Sequence, residues 1–216
     1  MLRYLIFDLD ETLYPPNSGL WEAMGERIHQ YIMERLRLSP EEARALRERY
    51  AREHGVTLTG LLQEHHVDPE DYLRYVHAVP LADYLQPNAA LNGMLARLPL
   101  PKAILTNASA DHARRVIEQL GVARHFGPII DIRALNFINK PRPEAFARAL
   151  EIVNAQPREC LFADDLIRNV QAARALGFVA VLVRETGNGQ LPDGVDYHIP
   201  NILGLERVVA GLIGQA

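Results

Sequence analysis

MLRYLIFDLDETLYPP, residues 1–16, decides how the rest of the chain is read. Residues 4–7 form a short apolar run within a candidate strand over residues 3–7, and the run leads directly into Asp8 and Asp10. Carboxylates one residue apart repel each other. A strand that ends by aiming two of them at one spot is costly unless something positive sits there.

Four further short apolar runs follow, at residues 102–105, 128–132, 160–163 and 178–183. They are rich in Ile, Val, Leu and Phe and show little alternation, which is the pattern of parallel strands buried on both faces. Helical stretches separate them. Ser109 is a good N-cap for a helix carrying Ala113, Val116, Ile117 and Leu120 at i, i+3, i+4 and i+7, and Gly121 closes it. Pro143 suits the first position of a helix through Phe146, Ala149, Leu150 and Val153, and a third helix runs through Val170, Ala173 and Leu176 to Gly177. Strand and helix alternating at this spacing predict an α/β fold, a Rossmann-like doubly wound parallel sheet.

One region breaks the alternation. Residues 16–85 contain no convincing strand but helical patterns at 20–36, 39–53, 58–65 and 69–79. Ser39-Pro40-Glu41-Glu42 is a helix start, with Pro at the first position and acids in the first turn. The expectation is a catalytic core of residues 1–15 and 86–216 with an all-helical cap, residues 16–85, inserted after the first strand. Such an insertion sits above the carboxyl ends of the strands, where open α/β sheets bind ligands.

Polar groups end four of the strands or follow them closely. The first strand runs into Asp8, Asp10 and Thr12, and the second into Thr106 and Asn107. Asn139-Lys140-Pro141 follows the third, and Asp164-Asp165 ends the fourth. In a parallel sheet these ends share one edge, so four acids, one Lys and a Thr/Asn pair converge. Each has an ordinary reading alone, as an Asx-turn, a helix cap or a solvated charge. Together those readings leave four carboxylates facing one another. At about 4 Å and an effective dielectric near 20, each pair of unit charges costs about 4 kcal/mol. A divalent cation removes that penalty, and an all-oxygen donor set without a Cys or His cluster suits Mg²⁺ rather than Zn²⁺. Mg²⁺ beside Lys140 and hydroxyl or amide donors makes a site for a phosphate dianion. One carboxylate can attack phosphorus to form an aspartyl-phosphate, and a second can move protons.

These residues resemble the haloacid dehalogenase superfamily of phosphatases. Asp8-Leu9-Asp10-Glu11-Thr12 resembles its DxDxT motif, Thr106 its hydroxyl motif, Lys140 its lysine motif and Asp164-Asp165 its acidic motif. The resemblance implies that Asp8 is the nucleophile and a metal ligand. It implies that Asp10 is the general acid/base and lends its backbone carbonyl to the metal. Thr106, Asn107 and Lys140 would hold the phosphoryl oxygens, and Asp165 would ligate Mg²⁺ with Asp164 as ligand or neighbour. Asn169 stands where many members carry another acid. Dehalogenases of the superfamily lack the acid/base Asp, because a halide leaves without a proton and an alkoxide does not. Asp10 therefore favours a phosphomonoester.

The stretches FDLDETLYPP, LTNASADHARRVIEQLGV, NFINKPRPEAF and FADDLIRNVQAA resemble the pyrimidine 5′-nucleotidase-like branch, which implies nucleoside monophosphates such as UMP or CMP as substrates. A phosphoglycolate- or sugar-phosphate-directed phosphatase or a phosphomutase on the same scaffold stays open. So does a non-catalytic phosphate-binding regulator, although a binder needs no acid/base Asp beside a nucleophile.

The expected partner is a small phosphorylated metabolite. The chain has 216 residues and a net charge of −4, with no long Lys/Arg block of the kind nucleic acid or an anionic membrane would favour. Its one cysteine, Cys160, allows no intrachain disulfide. The first apolar run is too short for a signal peptide, and no stretch approaches the roughly 20 apolar residues of a spanning helix. A cytoplasmic enzyme is expected. The default reading places His65, His66 and His112 at the surface or in a cap, and Tyr14, Trp21, Tyr50 and Tyr72 in the packed core. It makes residues 41–52 a solvated helix face and residues 185–189 a surface loop.

Overall fold

A computed structural model describes residues 1–185 and 191–214. Its centre is a six-stranded sheet in which every neighbouring pair is parallel. The strands are β1 (Tyr4–Phe7), β2 (Lys102–Leu105), β3 (Ile129–Ile130), β4 (Cys160–Asp164), β5 (Val179–Val183) and β6 (Tyr197–Ile199), in the order β3-β2-β1-β4-β5-β6. This is a Rossmann-like α/β fold. The order reverses direction between β1 and β4, and a crevice opens at the carboxyl ends there. Asp8 follows β1 and Asp164 ends β4, so the topology alone brings the first and last acidic pairs together. Leu5 pairs with Lys102 and Leu161, Ile6 with Ala103 and Phe162, and Phe7 with Ile104 and Ala163.

Nine α-helices complete the described residues. The helices α1 (Leu20–Leu36), α2 (Pro40–His54), α3 (Thr57–His65) and α4 (Pro69–Val76) all lie between β1 and β2. They are followed by α5 (Ala89–Arg97), α6 (Ala110–Gln119), α7 (Pro143–Val153), α8 (Ile167–Ala175) and α9 (Leu205–Gly214). One face of the sheet buries Leu5, Phe7, Ile104 and Leu161 against Leu95, Val116 and Val209, and the other buries Ile6, Leu105 and Phe162 against Phe146 and Ala149. The helices α1–α4 have a cluster of their own, built on Tyr31, Ile32, Tyr50, Leu61, Tyr72 and Leu73. Ser39 makes a full capping box with Glu42 at the start of α2, as its sequence predicts.

The differences from expectation have local causes. β3 pairs over two residues, not five, because Asp131 turns the chain: its carboxylate accepts from the N–H groups of Ala110 and Ala134, each at 2.9 Å. The fourth helical pattern stops at Val76, not at residue 79, because the chain turns at His77 to send that ring inward. β6 is short and half-exposed, with no apolar run to announce it. α5 and α9 were also not foreseen. Residues 41–52 form the exposed face expected of them, apart from Ala43, Tyr50 and the partly buried positions between. Residues 186–189 of the predicted surface loop lie outside the described residues. Among the described residues no helix is long and apolar enough to cross a membrane.

α2 and α3 meet where Gly60 lies on the ring of Tyr50. A Cβ at Gly60 would stand 2.3 Å from that ring, and Tyr50 is fully buried with its hydroxyl bonded to Glu64. The Gly60→Ala variant is expected to lose about 1–3 kcal/mol of stability, because the overpacked ring has nowhere to go. Chemical denaturation checks this, and an unchanged midpoint contradicts the contact.

Candidate active site

The carboxyl ends of β1, β2 and β4 and the loop before α7 bring the foreseen residues to one place. Lys140 is 1% exposed, and its Nζ donates to Asp8 Oδ1 at 2.6 Å and to Asp164 Oδ2 at 2.8 Å. The same ammonium lies 5.3 Å from the centre of the Phe162 ring. Burial alone would lower its pKa, but the two carboxylates outweigh burial and hold it above the ordinary lysine value. Asn107 holds the Lys140 backbone from both sides: its Oδ1 accepts from the Lys140 N–H at 2.8 Å and its Nδ2 donates to the Lys140 carbonyl at 3.2 Å. The Asn107 side chain is therefore engaged with Lys140, and its second Nδ2–H and its backbone N–H are left for a phosphoryl oxygen. Thr106 Oγ1 accepts from the Ala108 N–H at 3.0 Å, which leaves its own proton free for an oxyanion.

The carboxylates crowd. One oxygen each from Asp8, Asp164 and Asp165 lies within 4.8 Å of the others. Burial, then the charges of Asp164, Asp165 and Asp10, raise Asp8 well above the usual carboxylate range, while Lys140 pulls the other way. Burial and the neighbouring Asp164 push Asp165 up to about 7. One ammonium cannot neutralise this many carboxylates. The donors are hard oxygens, without thiolate or imidazole among the three, so the cluster fits a divalent cation such as Mg²⁺. Thr12 braces it: its Oγ1 lies 3.3 Å from both Asp8 Oδ2 and Asp165 Oδ1 and accepts from the Asp165 N–H at 3.1 Å. Asp164 also takes two bonds from Asn169 Nδ2, at 3.1 and 2.9 Å, so Asn169 steadies a buried acid through its amide.

The surroundings of Asp10 correct two of the default readings. His112 is not at the surface but 1% exposed, and its Nε2 lies 3.0 Å from Asp10 Oδ1. The carboxylate accepts, so the proton is on Nε2. The Tyr14 hydroxyl donates to the same oxygen at 2.7 Å, so Tyr14 is more than core packing. Among the described residues Asp10 Oδ2 has no partner. Burial works to raise the pKa of Asp10, but the His112 charge and hydrogen bond together with Tyr14 outweigh it and leave Asp10 below its ordinary value. His112 stacks on His77, ring centres 4.4 Å apart, and His77 Nδ1 lies 3.1 Å from Ser109 Oγ. Burial, then the charge of His112, lower His77 to about 3, so its ring is neutral. The spacing of His112 in the first turn after Ser109 was the available signal, since that turn starts at the end of β2. Nothing in the sequence marks His77. His65 and His66 are exposed, as expected.

A cavity of about 320 Å³ lies over this edge, lined from below by Asp8, Asp10, Thr106 and Lys140 and from above by residues of α1–α4. Trp21 departs from its expected place: it is 44% exposed and lines the cavity. Two contacts tie the helices down beside it. Asn139 Nδ2 donates to the His54 carbonyl at 2.9 Å, and Thr59 Oγ1 donates to Asn139 Oδ1 at 2.8 Å.

The model of the haloacid dehalogenase-like hydrolases matches residues 2–177. The chain belongs to this family. It is an enzyme of the haloacid dehalogenase type. Phosphate metabolism protein 8 of Saccharomyces cerevisiae is 29% identical over 197 residues, a match that covers 83% of this chain and 61% of the yeast protein. The (S)-2-haloacid dehalogenase of Xanthobacter autotrophicus is 26% identical over a 254-residue alignment covering 99% of this chain and 97% of that one. A crystal structure of a HAD phosphatase from Thermococcus onnurineus aligns with a TM-score of 0.63 at 19% identity, over 97% of this chain and 99% of that one, which is a likeness of fold.

The raised Asp165 has a consequence for pH. Without a cation the folded protein keeps the Asp165 proton until about pH 7, whereas the unfolded chain gives it up near 3.8. The contribution of Asp165 to the stability of the metal-free protein therefore falls as pH rises through that window. Proton and cation compete for the same carboxylate, so Mg²⁺ should bind more tightly toward the top of it. The rise in melting temperature on adding Mg²⁺ is expected to be small at about pH 5 and larger at about pH 8. A rise independent of pH, or larger at the acid end, contradicts this.

Proposed function

We propose that this enzyme is a Mg²⁺-dependent phosphatase that hydrolyses a small phosphomonoester through an aspartyl-phosphate on Asp8. The observation that carries the reading is the pair of carboxylates that follows β1: Asp8, bound by the Lys140 ammonium, and Asp10, held through one oxygen by Tyr14 and His112 with the second left free. A halide leaving group has no use for that second acid, and an alkoxide does.

In this reading the substrate phosphoryl group is held by Lys140, the Thr106 hydroxyl and the Asn107 N–H. Asp8, Asp165, Asp164 and the Asp10 carbonyl would hold the metal, whose charge would offset the repulsion between a phosphate dianion and an attacking carboxylate. An Asp8 oxygen attacks phosphorus, and the bond from phosphorus to the leaving oxygen breaks. Asp10 gives its proton to that oxygen, releasing the alcohol. The Asp10 carboxylate then takes a proton from a water that attacks phosphorus, which frees inorganic phosphate and restores Asp8. Asp10 has a low proton affinity in the free enzyme, but a phosphate dianion bound beside it raises that affinity when the acid is needed. Residues 16–85 act as the cap that shuts water out and shapes the leaving-group pocket.

The finer reading is a pyrimidine nucleoside 5′-monophosphate. The four sequence stretches that resemble the nucleotidase-like branch support it, as do a cavity large enough for a small ligand and the Trp21 ring at its wall.

The test is phosphate release from a panel of nucleotides, sugar phosphates, phosphoglycolate and p-nitrophenyl phosphate, with Mg²⁺ and with EDTA. Release that needs Mg²⁺ and favours UMP or CMP is expected. Asp8→Asn should lower turnover by roughly 10³-fold or more, and Asp10→Asn by about 10²- to 10⁴-fold. Wild-type turnover by Asp8→Asn, or turnover unaffected by EDTA, contradicts the mechanism.

A further inference from the structure

The cavity wall supplied by α1 and α4 is largely apolar, with Met24 and Ile28 on one helix and Leu73 and Val76 on the other. Two polar side chains interrupt it, Arg47 of α2 and Tyr72 of α4. Neither is satisfied by the protein. Among the described residues the partly buried Arg47 makes no hydrogen bond and no ion pair, whereas its neighbours Arg49 and Arg35 pair with Glu64 and Asp71 at 2.6 and 2.9 Å. Tyr72 is 5% exposed and its hydroxyl has no partner among the described residues. Its ring packs edge-on against Tyr31, with ring centres 5.1 Å apart.

The Arg47 guanidinium lies against the bare backbone of Gly25 of α1, where a Cβ would stand 2.5 Å from Nη2. Arg47 and Tyr72 are also electrostatic neighbours. Burial raises the Tyr72 phenol well above its usual pKa and the Arg47 charge only partly offsets this, so the hydroxyl stays a donor. The pair thus presents N–H and O–H donors and no basic acceptor. Both donors open onto the cavity, where a ligand oxygen can accept from them in place of water.

The pair stands away from the phosphoryl end. The far end of α2 touches the Lys140 loop through the His54 carbonyl and Gly55. Arg47 is eight residues earlier, about 12 Å along the helix axis. We propose that Arg47 and Tyr72 form a second recognition subsite, which receives oxygen acceptors at the end of the leaving group opposite the phosphate. The enzyme then selects phosphomonoesters whose alcohol carries a carboxylate or a ring carbonyl there, joined to the phosphate end by an apolar or flat body. This rests on the phosphomonoesterase reading and names its substrate class.

The experiment compares kcat/KM of the wild type, Arg47→Met and Tyr72→Phe on three esters: phenyl phosphate, 4-carboxyphenyl phosphate and UMP. Tyr72→Phe loses only the hydroxyl, and Arg47→Met keeps an apolar stem while losing the charge and the N–H donors. Wild type should prefer an acceptor-bearing ester over phenyl phosphate. Arg47→Met should cut that preference by about 10- to 100-fold, mostly through KM, and Tyr72→Phe by about 3- to 10-fold. Loss on UMP alone assigns ring carbonyls, and loss on the carboxylated ester alone assigns an anion. A wild type without preference, or variants that keep it, overturns the subsite. A wild type that turns over none of the three contradicts the phosphatase reading instead. The subsite is then judged by calorimetry with UMP and 4-carboxyphenyl phosphate: weaker binding to Arg47→Met supports it, and equal binding overturns it.

Discussion

The buried ammonium of Lys140, held between Asp8 and Asp164, is the contact on which the site depends. It joins the end of β1, the end of β4 and the loop before α7 in one charge-assisted network. A lysine this deep is expensive unless its partners are in place, and two carboxylates this close are expensive without it. Each explains the other. The network is still short of positive charge, because Asp165 and Asp10 stand in the same crevice and Lys140 reaches neither. That shortfall is what a divalent cation and the donors around a phosphoryl group act upon.

The fold supplies this arrangement through strand order. Placing β1 next to β4 puts two acidic strand ends side by side, and inserting four helices after β1 roofs the crevice with a separate small core. The roof and floor are stitched at Asn139, which bonds both His54 and Thr59 and neighbours Lys140 in sequence. In the proposed reading, catalytic chemistry and leaving-group recognition sit on different elements, the first at the strand ends and the second on α2 and α4.

Much of this was legible in the chain because its signals are local. The strands β1, β2 and β4 are continuous apolar runs, Leu20–Leu36 reads as a helix with both bounds correct, and Ser39 with Glu42 announces α2. The polar strand ends identified the floor of the site because a parallel sheet has only one carboxyl edge. What stayed hidden depends on tertiary contact. His112 looks like any first-turn histidine until β1 brings Asp10 within 3.0 Å of it. Tyr14 lies four residues from Asp10, yet only the turn after β1 aims its hydroxyl back. His77 lies inside the helical pattern of residues 69–79 and gives no sign that it stacks on His112. β6 is an edge strand of three residues whose order comes from pairing with β5 and not from its own composition.

The measurement that bears most directly on the central claim is chemical identification of the covalent intermediate. The enzyme is quenched in acid during turnover of a ³²P-labelled phosphomonoester, reduced with borohydride and digested, and the peptide carrying residues 4–12 is sequenced by mass spectrometry. The account predicts label on protein at the quench and, after reduction, homoserine in place of Asp8. No protein-bound label during rapid turnover, or reduction at another carboxylate with Asp8 intact, would contradict it.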